Sequence, residues 1–213
     1  DAYQSRGLGD VYKRQVNRRA DFANQDVDNT RWPLFNHVFK PWKQTGDNIL
    51  ILGQHDASEQ WNGMPGMNIW FEQQINEIRK HTDRPIQVRP HPRNPISLDL
   101  KKYKNVSLTR PVMDSNTIDD TNFKDTLKDV WAVINHSSNP AIEAVINGIP
   151  VFVSKDSLCH DVGNHSLDNI NNPKMPDRQQ WANKLAYTEW FEDEIEKGLP
   201  WHRIKNRLIT NYL

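Results

Sequence analysis

The chain predicts a doubly wound α/β domain, a Rossmann-like parallel sheet with helices on both faces, followed by C-terminal helices. Three observations predict it. Short, largely apolar runs, Ile49-Leu50-Ile51-Leu52, Ile86-Gln87-Val88 and Val130-Trp131-Ala132-Val133-Ile134, have the length and character of buried strands. Segments of helical period separate them. Polar, Gly- and Pro-bearing turns close each run.

The first strand spans residues 47–53 and ends in Gly53. Met67, Trp70, Phe71, Gln74, Ile75 and Ile78 recur at three-to-four spacing and predict an amphipathic helix over 67–80. A strand at 86–89 follows, then a proline-rich turn, a short helix around 98–103 and a strand at 106–108. Thr117 with Asp119 and Asp120 in the first turn predicts a helix over 117–129. The strand at 130–134, a helix at 140–147 and a strand at 149–153 complete a βαβαβαβαβ order, so the domain is expected over 47–176. Residues 155–176, rich in Asn, Asp and Pro, are long for a connector and predict a functional lid. Over 177–213, Trp181, Leu185, Trp190, Phe191, Ile195, Trp201, Ile204 and Leu208 share a helical face, broken at Gly198-Leu199-Pro200.

The N-terminal region departs from this pattern. Asp10-Val11-Tyr12-Lys13-Arg14-Gln15 resembles an in-frame translation of a transposase adapter from shotgun sequencing libraries, so residues 1–15 are read as a scar and the true start as missing. Residues 16–46 are polar with scattered aromatics and predict an extended tail that wraps a surface, or the remnant of an N-terminal domain.

Charge and composition narrow the function. Basic and acidic residues balance at 27 each in 213 residues, which argues against a bulk nucleic-acid binder, and charged residues at 25% with eight tryptophans indicate a globular chain. The balance is locally uneven: from Arg79 to Arg110, nine Lys and Arg face only Asp83 and Asp99. Cys159 is the single cysteine, which leaves no intrachain disulfide, and no signal peptide or long apolar span is visible, so a cytoplasmic protein without membrane partner is expected. His160, His165, Cys159 and Asp161 have irregular spacing for a metal site. No Walker loop or Gly-x-Gly-x-x-Gly follows the first strand.

Two segments carry the chemistry. Arg89-Pro90-His91-Pro92-Arg93 and Asn135-His136-Ser137-Ser138-Asn139 each follow a buried strand, so both are expected at the carboxyl edge, where such sheets bind ligands. Ser137, Ser138 and the N–H groups of Asn139 and Ala141, at a helix start, suit an anion such as a phosphate. Glu143, one turn on, suits two ribose hydroxyls. Arg89, His91 and Arg93 suit charge on a departing phosphate. Gly53 and Gln54 allow close backbone approach, and Asp56 or His55 is placed to act as base. Plainer readings stand beside these: Ser137 as a helix N-cap, Glu143 as a solvent residue, His91 as structural, Asp56 and Ser58 as caps.

Arg19-Ala20-Asp21-Phe22, residues 49–54 with Asp56-Ala57-Ser58, Arg89–Arg93, and His136-Ser137-Ser138-Asn139-Pro140-Ala141-Ile142-Glu143-Ala144 through Phe152 resemble a family of tailed-phage and prophage glycosyltransferases. The paired His-Pro and Ser-Ser motifs are similar to those of bacterial sialyltransferases and capsule Kdo transferases. The resemblance implies the second, nucleotide-sugar-binding half of a GT-B fold, with His91 and Asp56 catalytic. It implies donor contacts from Gly53, Gln54, Ser58, Arg89, Arg93, His136, Ser137, Ser138, Asn139 and Glu143. It also implies no metal, no cofactor beyond the nucleotide-sugar co-substrate such as a UDP-sugar, and one of two acceptors, hydroxymethylated pyrimidine in viral DNA or a surface polysaccharide. The acidic pair followed by Gly of the sialyltransferases is absent, since Asp119-Asp120 precedes Thr121, which speaks against CMP-sialic acid. A donor-binding module without transfer activity and a nucleotide-sugar epimerase or hydrolase are the alternatives.

Overall fold

In a computed structural model, residues 27–111, 123–203 and 205 are described. The adapter-like segment, residues 19–22, Thr117, Asp119, Asp120, Ile204 and Leu208 lie outside them. The described residues form two compact units, one within residues 38–176 and one combining residues 27–37 with those from 177 onward.

The larger unit is an open five-stranded, all-parallel sheet in the order β3-β2-β1-β4-β5. Its strands are β1 (Asn48–Leu52), β2 (Ile86–Arg89), β3 (Val106–Leu108), β4 (Val130–Asn135) and β5 (Val151–Phe152). Helix α1 is Met67–Arg79, α2 Phe123–Thr126 and α3 Pro140–Ile146. The β1-α1-β2 unit steps one way along the sheet and β4-α3-β5 the other. Right-handed crossovers in opposite directions put α1 and α3 on opposite faces, which makes the sheet doubly wound.

Packing follows the two-residue period of the strands. Met67, Trp70, Phe71, Ile75 and Ile78 of α1 form one core with Ile49, Ile51, Ile86, Val88, Ala132 and Ile134. Leu50, Val133 and Val151 alternate to the opposite face, where Ala141, Ala144 and Val145 of α3 are fully buried. Every residue of β1 and β4 is buried, and each such Ile, Leu or Val contributes roughly 1.5–3 kcal/mol. The β1/β4 register shifts between Asn48 and Ile49. The bulge leaves Trp131 as the extra residue, and its Nε1 donates to the Ile170 carbonyl at 2.7 Å.

Two segments outside the sheet pack against it. Residues 155–176 are not a loose cover: Cys159, Val162, Asn164 and Ile170 are buried, Asn164 bridges Phe152 in parallel fashion, and Ile170 belongs to the α1-side core. The length of this loop is spent on packing, which periodicity cannot report. Residues 38–46 run along the end of α3, with the Lys40 amide donating to Ile146 and the Lys43 amide to Gly148. Gly148 has φ +77°, and a Cβ there would lie 2.0 Å from the Pro41 carbonyl oxygen, so glycine is required.

In the smaller unit, helices α4 (Gln179–Leu185) and α5 (Glu192–Glu196) are joined by the turn Trp32–Phe35 and a third helical stretch at 199–203. Arg31 is its polar centre. The guanidinium pairs with Glu194, donates to the Ala186 and Glu189 carbonyls at 2.9 and 2.8 Å, and stacks on Trp190. A buried arginine needs this full set of acceptors.

Candidate functional site

Strand order reverses between β1 and β4, and the loops leaving their carboxyl ends define the crevice where ligands of such sheets bind. Leu52 pairs in register with both Arg89 and Asn135. The next residues, Gly53, Pro90 and His136, therefore leave the sheet side by side. A Cβ on Gly53 would meet the Phe71 ring at 2.7 Å and the His91 amide nitrogen at 3.2 Å, so glycine here lets the His-Pro loop pass close to β1.

Gln54 ties the two motifs together. Its main-chain carbonyl accepts from Asn94 Nδ2 at 3.2 Å, on the His-Pro side. Its Oε1 accepts from Ser137 Oγ at 3.2 Å, on the Ser-Ser side, and its Nε2 donates to Ser58 Oγ at 3.1 Å. Gln54 and Ser137 are both buried. Because the single hydroxyl hydrogen of Ser137 goes to Gln54, the 3.0 Å contact between Ser137 Oγ and His136 Nδ1 requires the proton on Nδ1. Burial holds His136 below the ordinary imidazole range, with Asp156 acting weakly against it. The neutral ring thus keeps Nε2 as an acceptor.

The two serines have different roles. Ser138 Oγ accepts from Asn135 Nδ2 at 2.7 Å, which leaves the Ser138 hydrogen available to a ligand. Neither serine caps α3: the N-cap is Asn139, in helical conformation without a side-chain capping bond. The Ala141 amide donates to the Ser138 carbonyl, so it is not open to an anion, whereas among the described residues no carbonyl accepts from the Ser138 or Asn139 amides. Glu143 Oε1 accepts from Asn147 Nδ2 at 2.9 Å, one turn along the same helix. Asn135 Oδ1 is buried without a hydrogen-bond partner, an acceptor left open beside Ser138.

On the other loop, His91 Nδ1 accepts from the Arg93 amide at 3.1 Å, which places the proton of the neutral ring on Nε2. Burial lowers the His91 pKa first, then Arg93 and His55. His91 is therefore a neutral N–H donor near pH 7. His55 is held in the same tautomer, its Nδ1 accepting from the Ala57 amide at 3.0 Å, and the two rings meet edge to face at 5.5 Å. Among the described residues, His91 makes no hydrogen bond to Ser137 or Ser138; Gln54 is the link between their loops. Arg93 is exposed. Arg89 is only 2% exposed, donates to the Arg110 carbonyl at 3.5 Å and lies against Phe123. Asp56 Oδ2 accepts from the Met67 amide at 3.3 Å, at the start of α1, and Oδ1 from Asn94 Nδ2 at 3.1 Å.

Part of the basic excess between Arg79 and Arg110 is used inside the fold. Arg79 donates to the carbonyls of Thr82, Arg84, Lys104 and Asn105; Arg84 bonds Gly46 and stacks on Trp131; Arg89 is buried; Lys80 and Lys102 pair with Glu77 and Glu72. Lys80 and Lys102 are exposed in those pairs, and Arg93, Lys101, Lys104 and Arg110 are exposed as well.

Burial pushes the Cys159 thiol well above its ordinary pKa, and His160 stacks on His165 at 4.0 Å. Among the described residues, no three His, Cys, Asp or Glu side chains group as metal ligands, and no helix is long and apolar enough to cross a membrane. Sequence reasoning missed Asn94 and Asn135, the two amides that fix the loops; the only signal was a polar residue closing an otherwise apolar strand and an Asn inside a proline turn.

No protein-family model matches the chain, and no curated protein matches it. Among solved structures it is similar to Thermosulfurimonas dismutans KpsC, beta Kdo 2,4 transferase, at 14% identity over 87% of this chain and 56% of that one, with a TM-score of 0.42. It is also similar to Thermosulfurimonas dismutans KpsC, beta Kdo 2,7 transferase, at 15% identity over 82% of this chain and 55% of that one, with a TM-score of 0.40. The chain spans about half the length of these two structures.

Proposed function

We propose that this chain is the donor-binding domain of a nucleotide-sugar-dependent glycosyltransferase of GT-B type. The observation that carries the reading is the Gln54 tie, which holds a neutral N–H-donating histidine loop and a Ser-Ser helix start at one sheet edge. The Ser138 hydroxyl, with the Ser138 and Asn139 amides, receives the donor phosphate. His91 Nε2–H, with the exposed Arg93, faces the charge that grows on that phosphate as the bond from the sugar carbon to phosphate oxygen breaks. Ser137, Gln54, Asn135 and Arg89 position these groups, and Asp56 holds the His-Pro loop to the start of α1. Glu143 keeps one carboxylate oxygen for ribose hydroxyls.

The acceptor is assigned to the saccharide class. A DNA acceptor would need cations along a phosphate backbone, whereas three of the nine basic residues between Arg79 and Arg110 are spent inside the fold and two more are paired with glutamates at the surface.

Isothermal titration with UDP-, GDP- and CMP-sugars tests the donor reading. At least one should bind, and Ser138→Ala should weaken it by about 1–2 kcal/mol, the worth of a hydrogen bond to a charged group. Absence of binding across the panel, or unchanged affinity in a folded Ser138→Ala variant, would refute it. For the acceptor, transfer to oligosaccharide that is insensitive to salt is expected; transfer to hydroxymethylated duplex that falls steeply with salt would reverse the assignment.

A further inference from the structure

On the α1 side of the sheet, β4, β5 and the loop after β5 border an open cavity of about 200 Å3 next to the Ser-Ser loop. We infer that this cavity seats the sugar ring carried by the donor, and that this ring is uncharged; the inference rests on the donor reading above.

His136 supplies the connection, since its ring lines the cavity while its Nδ1 bonds Ser137, the neighbour of the phosphate-binding Ser138. Its size matches one ring. The cavity has room for about seven waters at ~30 Å3 each, and is smaller than the roughly 300–1,000 Å3 sites that take drug-sized ligands. Side distinguishes the sugar from the nucleoside. Glu143, the group suited to ribose, lies on α3 on the opposite face of the sheet, so the nucleoside leaves the phosphate that way and the sugar lies toward α1.

The walls match a polyhydroxyl ring. Trp70 and Phe152 offer apolar faces to C–H groups, and His136 Nε2 is an acceptor. His165 Nδ1–H donates to the Val153 carbonyl at 3.4 Å, which leaves Nε2 to a ligand hydroxyl. Ser154 Oγ accepts from the Asp156 amide and has its hydrogen to donate. Sugar hydroxyls both donate and accept, and can satisfy all three. A sugar carboxylate finds no such match. No Lys or Arg is among the described residues lining the cavity, and Asp156 is close enough to act on the His136 ring. A carboxylate placed there would be desolvated without a counter-charge.

Titrations followed by NMR with glucose, galactose and mannose 1-phosphates, glucuronic and galacturonic acid 1-phosphates, and inorganic phosphate separate the possibilities. At least one neutral sugar phosphate should bind tenfold or more tightly than inorganic phosphate, and the uronic acids no more tightly than inorganic phosphate. Gln74→Trp, which fills the cavity from α1, should abolish the neutral-sugar advantage and retain phosphate binding, which also reports that the variant is folded. Uronic acids binding as well as neutral sugars, sugar phosphates indistinguishable from inorganic phosphate, or an advantage that survives Gln74→Trp would each overturn the inference while leaving the phosphate site standing. Failure of inorganic phosphate and every sugar phosphate to bind would instead remove the donor reading, and the inference with it.

Discussion

Gln54 offers the sharpest energetic test, because two of its bonds can be removed one side at a time. Gln54→Leu keeps the buried bulk but removes the acceptor of the Ser137 hydroxyl, which must turn to His136 Nδ1 and shift that ring's proton to Nε2; Ser58, half-buried, recovers a partner from water. Losing one buried hydrogen bond costs about 1 kcal/mol, so a loss of that size in urea unfolding is expected. Ser137→Ala strands Gln54 Oε1 and the His136 Nδ1 hydrogen, for a similar loss. In the double variant only the His136 hydrogen is left unmatched, so its cost should fall short of the sum by about 1 kcal/mol. Measured additivity within about 0.5 kcal/mol would mean that the two loops are not joined through this bond, and the geometry of the site would have to be redrawn.

Asp56→Ala should lose about 1 kcal/mol in chemical denaturation, because the carboxylate accepts from the first amide of α1; an unchanged midpoint would deny it that role. Gly148→Ala should cost more than the ~1–2 kcal/mol of left-handed backbone strain alone, since the new Cβ meets the Pro41 carbonyl; a loss below 1 kcal/mol would contradict the close approach. His91 and His136 both have folded pKa values below 6.5, so protons favour the unfolded chain. Their contribution is complete above pH 6.5 and is lost as pH falls from 6.5 through the lower folded values. Melting temperature should accordingly drop between pH 7 and 5, and a flat or rising profile would be inconsistent with neutral, half-buried rings.

The central strands were legible because a parallel strand buried on both faces is apolar through its middle, and β1 and β4 are, with Asn48 and Asn135 only at their ends. Placing both motifs at the carboxyl edge followed from strand order alone. Three features were not legible for physical reasons. Ser137 and Ser138 look alike in sequence, yet one bonds Gln54, 83 residues away, and the other a neighbour three residues back. Arg89 and Arg93 flank the same histidine, but strand alternation turns Arg89 into the fold while Arg93 stays exposed. The cavity walls come from α1, β4, β5 and the packed loop after β5, and no local pattern brings Trp70, His136 and Ser154 together.

A crystal structure of the chain soaked or grown with the nucleotide-sugar that binds most tightly in titration tests the central claim most directly. The donor phosphate is predicted within hydrogen-bond distance of Ser138 Oγ and the Asn139 amide, with His91 Nε2 directed at it. A nucleotide bound away from the carboxyl ends of β1 and β4, or a phosphate there that touches neither Ser138 nor His91, would contradict the account.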